Sequence, residues 1–224
     1  MTDPRTNEPE QPCSPGSRAE RVILLAVLLI ALGASAIGPY DRLTWWLEIA
    51  PVIIGLTLCI GTRSRFPLTA LLVRLLFLHA LVLILGGYHT YARVPLGFYL
   101  QDALDLSRNP YDRIGHFLQG FVPAILAREI LLRTSPLQTG RWLFFLVSAT
   151  CLAFSAFYEL AEWLAAILLD ADADAFLGTQ GDVWDTQWDM ALALFGAILA
   201  QLLLAPRHDR ALQNLGAVAI RRAG

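Results

Sequence analysis

Residues 68–87 read LTALLVRLLFLHALVLILGG. A helix of that length spans about 30 Å, the thickness of a bilayer's hydrocarbon core. Apart from Thr69, only Arg74 and His79 interrupt its apolar character. Working outward, further apolar runs occupy Val22 to Ile37, Trp45 to Ile60, Asp112 to Leu132, Trp142 to Leu169 and Asp185 to Leu204. The composition agrees, with 56% apolar residues, 16% charged residues and a mean hydropathy of +0.52. Soluble domains carry about 25% charged residues and could not keep so much apolar surface from water. The fold class is therefore all-α, a polytopic membrane helix bundle of six transmembrane helices. Residues 1–20 are polar, rich in Pro, Ser and Glu, and read as a disordered tail. Residues 21–205 form the transmembrane domain, and 206–224 a basic tail.

All 17 basic residues are arginines, and their placement gives an orientation. If the N-terminus is cytoplasmic, twelve arginines lie inside: Arg5, Arg18, Arg21, Arg63, Arg65, Arg128, Arg133, Arg141, Arg207, Arg210, Arg221 and Arg222. Only Arg42, Arg93, Arg108 and Arg113 lie outside. The positive-inside rule then puts both termini in the cytoplasm and turns the connections Tyr88 to Tyr111 and Asp170 to Trp184 outward. Ala34-Ser35-Ala36 has the small-x-small look of a signal-peptidase site. The run before it is longer than a usual signal core, so it reads as an uncleaved first helix. No basic patch stands clear of a membrane edge, which leaves nucleic-acid binding without support. Cys13, Cys59 and Cys151 show no metal-binding or redox spacing.

Ionisable groups inside a bilayer are expensive, so their positions carry functional information. Asp112 and His116 are four apart and Gln119 and Pro123 continue that face of the fourth span. Ser148, Ser155, Glu159 and Glu162 line one stripe of the fifth, and Asp182, Asp185 and Asp189 one stripe of the sixth. Ala193, Gly196 and Ala200 supply a small-residue face below Asp189. At about 1.5 Å per residue, His116 and Asp189 lie one turn below the outer ends and Glu159 and Glu162 on the order of 12–16 Å in. The stripes meet in the outer half, where His79 and His89 can join them.

Asp112, Glu159, Glu162, Asp185 and Asp189 cannot all stay ionised together in low dielectric. Bound cations, shared protons or the arginines Arg93, Arg108 and Arg113 must compensate. A divalent cation suits the oxygen-rich set, and histidine ligation tilts it toward zinc or manganese. Alternatively, pairs such as Glu159–Arg113 or Asp185–Arg108 simply tie helices together. Arg128-Glu129 reads as an interfacial pair, Arg74 as a snorkelling side chain and Glu48 as a partner for a neighbouring helix.

The stretch Gly86-Gly87-Tyr88-His89-Thr90-Tyr91-Ala92-Arg93-Val94-Pro95-Leu96-Gly97 resembles the YjdF-like family of bacterial inner-membrane proteins. Arg108-Asn109, Tyr111-Asp112-Arg113, Gly115-His116-Phe117, Tyr158-Glu159, Glu162-Trp163 and Leu177 to Asp185 with Asp189-Met190 extend the likeness over residues 86–200. The resemblance implies a multi-pass inner-membrane protein and brings no assigned activity. More distantly, Asp112-Arg113 with His116-Phe117, Glu159, and Asp185 with Gly196 look like the pattern of VanZ-like proteins, which are associated with low-level teicoplanin resistance. Glu162, Asp189 and Leu192 depart from that pattern where it has Gln, Asn and Gly. Two carboxylates in place of amides favour a cation site and weaken any transfer of the resistance phenotype.

The functional expectation is an outward-facing site of Asp112, His116, Glu159, Glu162, Asp185 and Asp189 that binds a divalent cation. Its partner would be an anionic envelope lipid or cell-wall precursor head group. Were it an enzyme, a metal-dependent membrane hydrolase or transferase, His116, Glu159 and Asp185 would be catalytic. Arg93, Arg108, Arg113 and His89 would then bind substrate. A proton- or cation-coupled transporter and a non-catalytic scaffold are the alternatives.

Overall fold

The computed structural model describes residues 17–168 and 179–216. Among these residues the chain forms seven α-helices and no strand. They are α1 (Arg18–Ser35), α2 (Arg42–Thr62), α3 (Ala70–His89), α4 (Pro95–Ala103), α5 (Tyr111–Thr134), α6 (Arg141–Leu168) and α7 (Asp185–Asn214), with a 3₁₀ turn at Tyr91–Arg93. Short polar side chains fix several starts. Ser17 accepts from the Glu20 N–H at 3.0 Å, Asp41 from Thr44 at 2.7 Å and Thr69 from Leu72 at 3.4 Å. Each occupies an N-cap position, which stabilises a helix by about 1 kcal/mol. Pro95 opens α4 at a first-turn position, where a missing N–H costs nothing.

Contacts between helix ends show that the long helices alternate in direction. Trp45 Nε1 donates to Ser35 Oγ at 3.1 Å, joining the end of α1 to the start of α2. Gly87 near the end of α3 lies against Glu48 and Ile49 of α2. Tyr111 at the start of α5 donates to the Val82 carbonyl at 3.0 Å, and Thr69 before α3 meets Glu129 near the end of α5. One end of the bundle thus gathers the C-termini of α1, α3 and α6 with the N-termini of α2, α5 and α7.

Helix α3 joins two packing units. Leu28, Val52 and Ile84 pack α1, α2 and α3 together. Leu72, Ile125, Leu143, Val147, Ala197 and Leu212 belong to the larger core of α3, α5, α6 and α7. The tightest seam is α5 against α7. A Cβ on Gly120 would sit 1.7 Å from the Ala193 carbonyl oxygen, and one on Gly196 2.1 Å from that of Phe117. Only glycine lets these backbones touch, as in close membrane helix pairs. The outer surface is apolar, with Ile30, Phe157 and Leu168 each more than two-thirds exposed, which suits lipid rather than water.

Helices α2, α3, α6 and α7 are long and apolar enough to cross a membrane. The other two expected spans are helical but more charged. Helix α1 begins Arg18-Ala19-Glu20-Arg21, and α5 carries Asp112, Arg113, Arg128, Glu129 and Arg133. Helix α7 continues through Pro206 to Asn214, so residues 206–214 extend a helix where the sequence suggested a tail. His208 and Leu212, both fully buried, pack that extension onto the bundle. The connection expected at Tyr88 to Tyr111 contains the 3₁₀ turn and α4. Residues 1–16, with Cys13 and Arg5, residues 169–178, and the tail 217–224, with Arg221 and Arg222, lie outside the described residues.

Candidate functional site

The close α5–α7 seam brings two polar stripes face to face. His116 Nε2 stands 3.5 Å from Asp112 Oδ1, one turn earlier on α5, and 3.8 Å from Asp189 Oδ2 on α7. Ligand atoms of Asp112, His116 and Asp189 all lie within 4.8 Å of one another, close enough to share one metal ion. The other face of the imidazole looks at α6, with His116 Nδ1 3.7 Å from Glu159 Oε1. The side chains of His116, Glu159 and Asp189 are nine-tenths or more buried. Among the described residues, His116 Nδ1, Glu159 Oε1 and Asp189 Oδ1 have no hydrogen-bond partner. Three carboxylates thus surround a single imidazole in a setting where unmet charge is costly.

Beside this group, two arginines are engaged by carboxylates. Arg108 Nη1 donates to Asp185 Oδ1 and, at 3.0 Å, to the Thr179 carbonyl. Its two Nη atoms also stand 3.7 Å from Asp112 and Asp182. Arg113 donates to Asp182 Oδ2 at 2.8 Å and lies over the Trp188 ring. Of the two helix-tying pairs considered from sequence, Asp185–Arg108 forms, whereas Arg113 takes Asp182 and not Glu159. Asn109 locks the entry to α5 by donating to the Val94 carbonyl and exchanging two 3.1 Å hydrogen bonds with Gln180. Gly97 is required beneath it, since a Cβ there would meet Asn109 Oδ1 at 1.7 Å.

The other expected site residues fall in different places. Glu162, one turn beyond Glu159, faces Glu48 of α2 across a small cleft. Glu48 accepts from the Tyr158 hydroxyl at 3.4 Å. Arg93 stacks over the Tyr40 ring at 4.1 Å, and His89 packs edge-on against Tyr88. Neither forms an ion pair with the cluster among the described residues. His79 is buried on α3, with Nε2 unpartnered and no ion pair among the described residues. Sequence reading did not include Glu48, Tyr158 or Asp182 in the site. Asp182 shares the stripe of Asp185 and Asp189, and Tyr158 adjoins Glu159, which are the signals that point to them.

At the opposite end, the Arg128-Glu129 reading needs correction. Both residues are buried, and they bond to other groups. Glu129 accepts from Thr69 N at 3.1 Å, Thr69 Oγ1 at 2.7 Å and Arg133 at 2.7 Å, and lies 3.0 Å from His208 Nε2. Arg128 pairs with Asp209 at 2.6 Å and meets His208 Nδ1 at 2.9 Å. Since arginine can only donate, His208 Nδ1 accepts and Nε2 carries the proton toward Glu129. Arg74, expected to snorkel, bonds Glu20 of α1.

Apolar helices with lipid-suited outer faces and polar groups drawn inside define a multi-pass integral membrane protein with an internal polar site. The chain belongs to the family described as "Predicted membrane protein (DUF2238)", which matches residues 20–210. It is 51% identical over 196 residues to the inner membrane protein YjdF of Escherichia coli (strain K12), covering 88% of this chain and 92% of that protein. The YjdF-like resemblance is thereby established, together with a multi-pass inner-membrane location. The VanZ-like likeness receives no support from these matches. No solved structure matches.

Proposed function

We propose that the protein crosses the inner membrane six times with both termini in the cytoplasm. On this reading it binds a divalent cation at Asp112, His116 and Asp189 in the outer half and uses it on an anionic envelope lipid or cell-wall precursor head group. The alternating direction of α1, α2, α3, α5, α6 and α7 supports six crossings. The arginines support the orientation, because Arg63, Arg65, Arg128, Arg133 and Arg141 belong to the end opposite the site. Maleimide labelling of a single cysteine introduced at Gln180, in a chain otherwise free of cysteine, tests this. Labelling from the periplasmic side is expected, and labelling only after the inner membrane is opened contradicts it.

The observation that carries the cation reading is the convergence of three ligand atoms within 4.8 Å, those of His116 and Asp189 buried and that of Asp112 half-buried. With His116 neutral, as a metal ligand must be, ionised Asp112, Asp189 and Glu159 give the group excess negative charge, which a divalent ion offsets. Two carboxylate oxygens and one imidazole nitrogen suit manganese or zinc better than calcium. If Nε2 of His116 faces the ion, Glu159 sits on Nδ1, where a carboxylate fixes the tautomer and ring orientation of a metal-binding histidine. When bound, the ion supplies Lewis-acid polarisation of a phosphoryl oxygen. Arg108 and Arg113, held by Asp185 and Asp182, border the site and position its rim. The enzyme form is tested by phosphate or head-group release from bacterial envelope lipids. Metal-dependent release that falls at least about 100-fold in Asp189→Asn is expected, and equal release by that variant contradicts it.

Two observations favour a second reading, a proton- or cation-coupled carrier. Ser155 Oγ is fully buried without a partner, and Gln201 donates to Ser148 Oγ at 3.0 Å between the two polar ends of the bundle. Proteoliposome flux lost in Glu159→Gln supports that reading, and absence of any flux removes it.

A further inference from the structure

The cleft between α2 and α6 is about 100 Å³ in size and is lined by Thr44, Leu47, Glu48, Tyr158, Ala161 and Glu162 among others. Glu48 and Glu162 stand on facing walls, and Glu48 lies six residues from the site end of α2. That is a depth of about 9 Å, the level of the boundary between head groups and acyl chains. The two carboxylates repel one another, and Glu48 also lies within electrostatic range of Asp112 and Glu162 of Glu159. Among the described residues no arginine pairs with them; His116 lies within electrostatic range of both, and the Tyr91 hydroxyl donates to Glu48. Arg108 and Arg113 are held by Asp185 and Asp182, and Glu162 has neither hydrogen bond nor ion pair among the described residues. One turn back along α6, Glu159 turns away from the cleft, with Oε1 facing His116 Nδ1 at 3.7 Å.

The surroundings indicate where a ligand comes from. Leu47 lines the cleft and is exposed, and the two helices that form it carry further exposed apolar side chains, among them Ile54 on α2 and Leu160 and Leu164 on α6. A cleft between two helices with such apolar outer surfaces is reached from the lipid. A cation with several N–H donors satisfies two carboxylates and a phenol oxygen at once. A primary ammonium has three such donors in a compact volume, and its hydrogen bonds to carboxylates are charge-assisted.

We propose that the α2–α6 cleft binds a primary ammonium group, presented by an aminated lipid head group that enters sideways from the outer leaflet and seats on Glu48, Glu162 and Tyr158. This site does not depend on a metal at Asp112, His116 and Asp189. With both occupied, the ligand is a zwitterion whose phosphate lies toward the ion and whose amine lies in the cleft.

The test is lipid binding to the full-length detergent-purified protein, measured by native mass spectrometry. The probes are phosphatidylethanolamine, phosphatidylcholine, whose quaternary nitrogen has no N–H, and phosphatidylglycerol, with free ethanolamine as the soluble source. Phosphatidylethanolamine is expected to bind at least about ten-fold more tightly than either other lipid. The Glu48→Gln, Glu162→Gln double variant should lose that preference, and Asp189→Asn should keep it. Binding of free ethanolamine that requires the same two carboxylates upholds the ammonium site and assigns it a soluble ligand. Equal binding of the three lipids by the wild type, without ethanolamine binding, overturns the proposal even if the double variant does not fold. So does a preference that survives in the double variant, or one lost only in Asp189→Asn.

Discussion

His116 Nδ1 and Glu159 Oε1 face each other at 3.7 Å, and neither has a hydrogen-bond partner among the described residues. The contact joins α5 to α6 on the side of the ring away from Asp112 and Asp189. If it orients the imidazole for a cation, its loss should weaken binding without abolishing it. Glu159→Gln is expected to lower manganese affinity about 10- to 100-fold, read by electron paramagnetic resonance titration. An unchanged affinity would remove Glu159 from the site.

Arg108 and Asp185 test the rim. Both are at least nine-tenths buried, so Arg108→Ala strands a carboxylate and should destabilise the protein by about 3–5 kcal/mol. The apolar double variant Arg108→Met, Asp185→Leu should recover most of that loss. Thermal unfolding in detergent compares them. A single variant as stable as wild type would mean that the pair does not hold the start of α7.

The α5–α7 seam makes a steric prediction. Gly196→Ala places a methyl group 2.1 Å from the Phe117 carbonyl oxygen, and Gly120→Ala one 1.7 Å from that of Ala193. Backbone cannot yield as a flexible side chain does. Each variant should cost about 1–3 kcal/mol or more and broaden the size-exclusion peak, whereas Gly55→Ala, where a Cβ meets nothing within 4 Å, should be neutral.

Outside the membrane, Asp41 carries a pH-dependent contribution. Hydrogen bonds from Thr44 hold its carboxyl below the usual aspartate range. A depressed folded-state value stabilises the fold above the unfolded value, and that stability is lost as pH falls through the folded one. Asp41→Ala should therefore cost up to about 1 kcal/mol at neutral pH and progressively less below about pH 4. A constant difference in unfolding temperature across that window would contradict the cap.

The amphipathic logic of the site was legible in the sequence because its spacings are local. Asp112 with His116 and Asp185 with Asp189 each sit one helical turn apart, so periodicity alone aligns them. Which stripe meets which depends on helix register, and hence Arg113 finds Asp182 and not Glu159. The Glu129 cluster was illegible for a related reason. Its partners Thr69 and His208 lie 60 and 79 residues away, and His208 follows Pro206 in a stretch that reads as tail. Hydropathy reveals the apolar helices directly, whereas α4, only nine residues long, has too short a pattern to stand out from a loop.

The central claim is a cation held by Asp112, His116 and Asp189, and the most direct measurement is metal content by plasma mass spectrometry of detergent-purified protein. Wild type should carry, after incubation with manganese or zinc and removal of excess, close to one ion per chain. The Asp112→Asn, Asp189→Asn double variant, at equal monodispersity, should carry none. No bound metal in the wild type after incubation with manganese, zinc, magnesium and calcium, or equal content in the two proteins, would contradict the account.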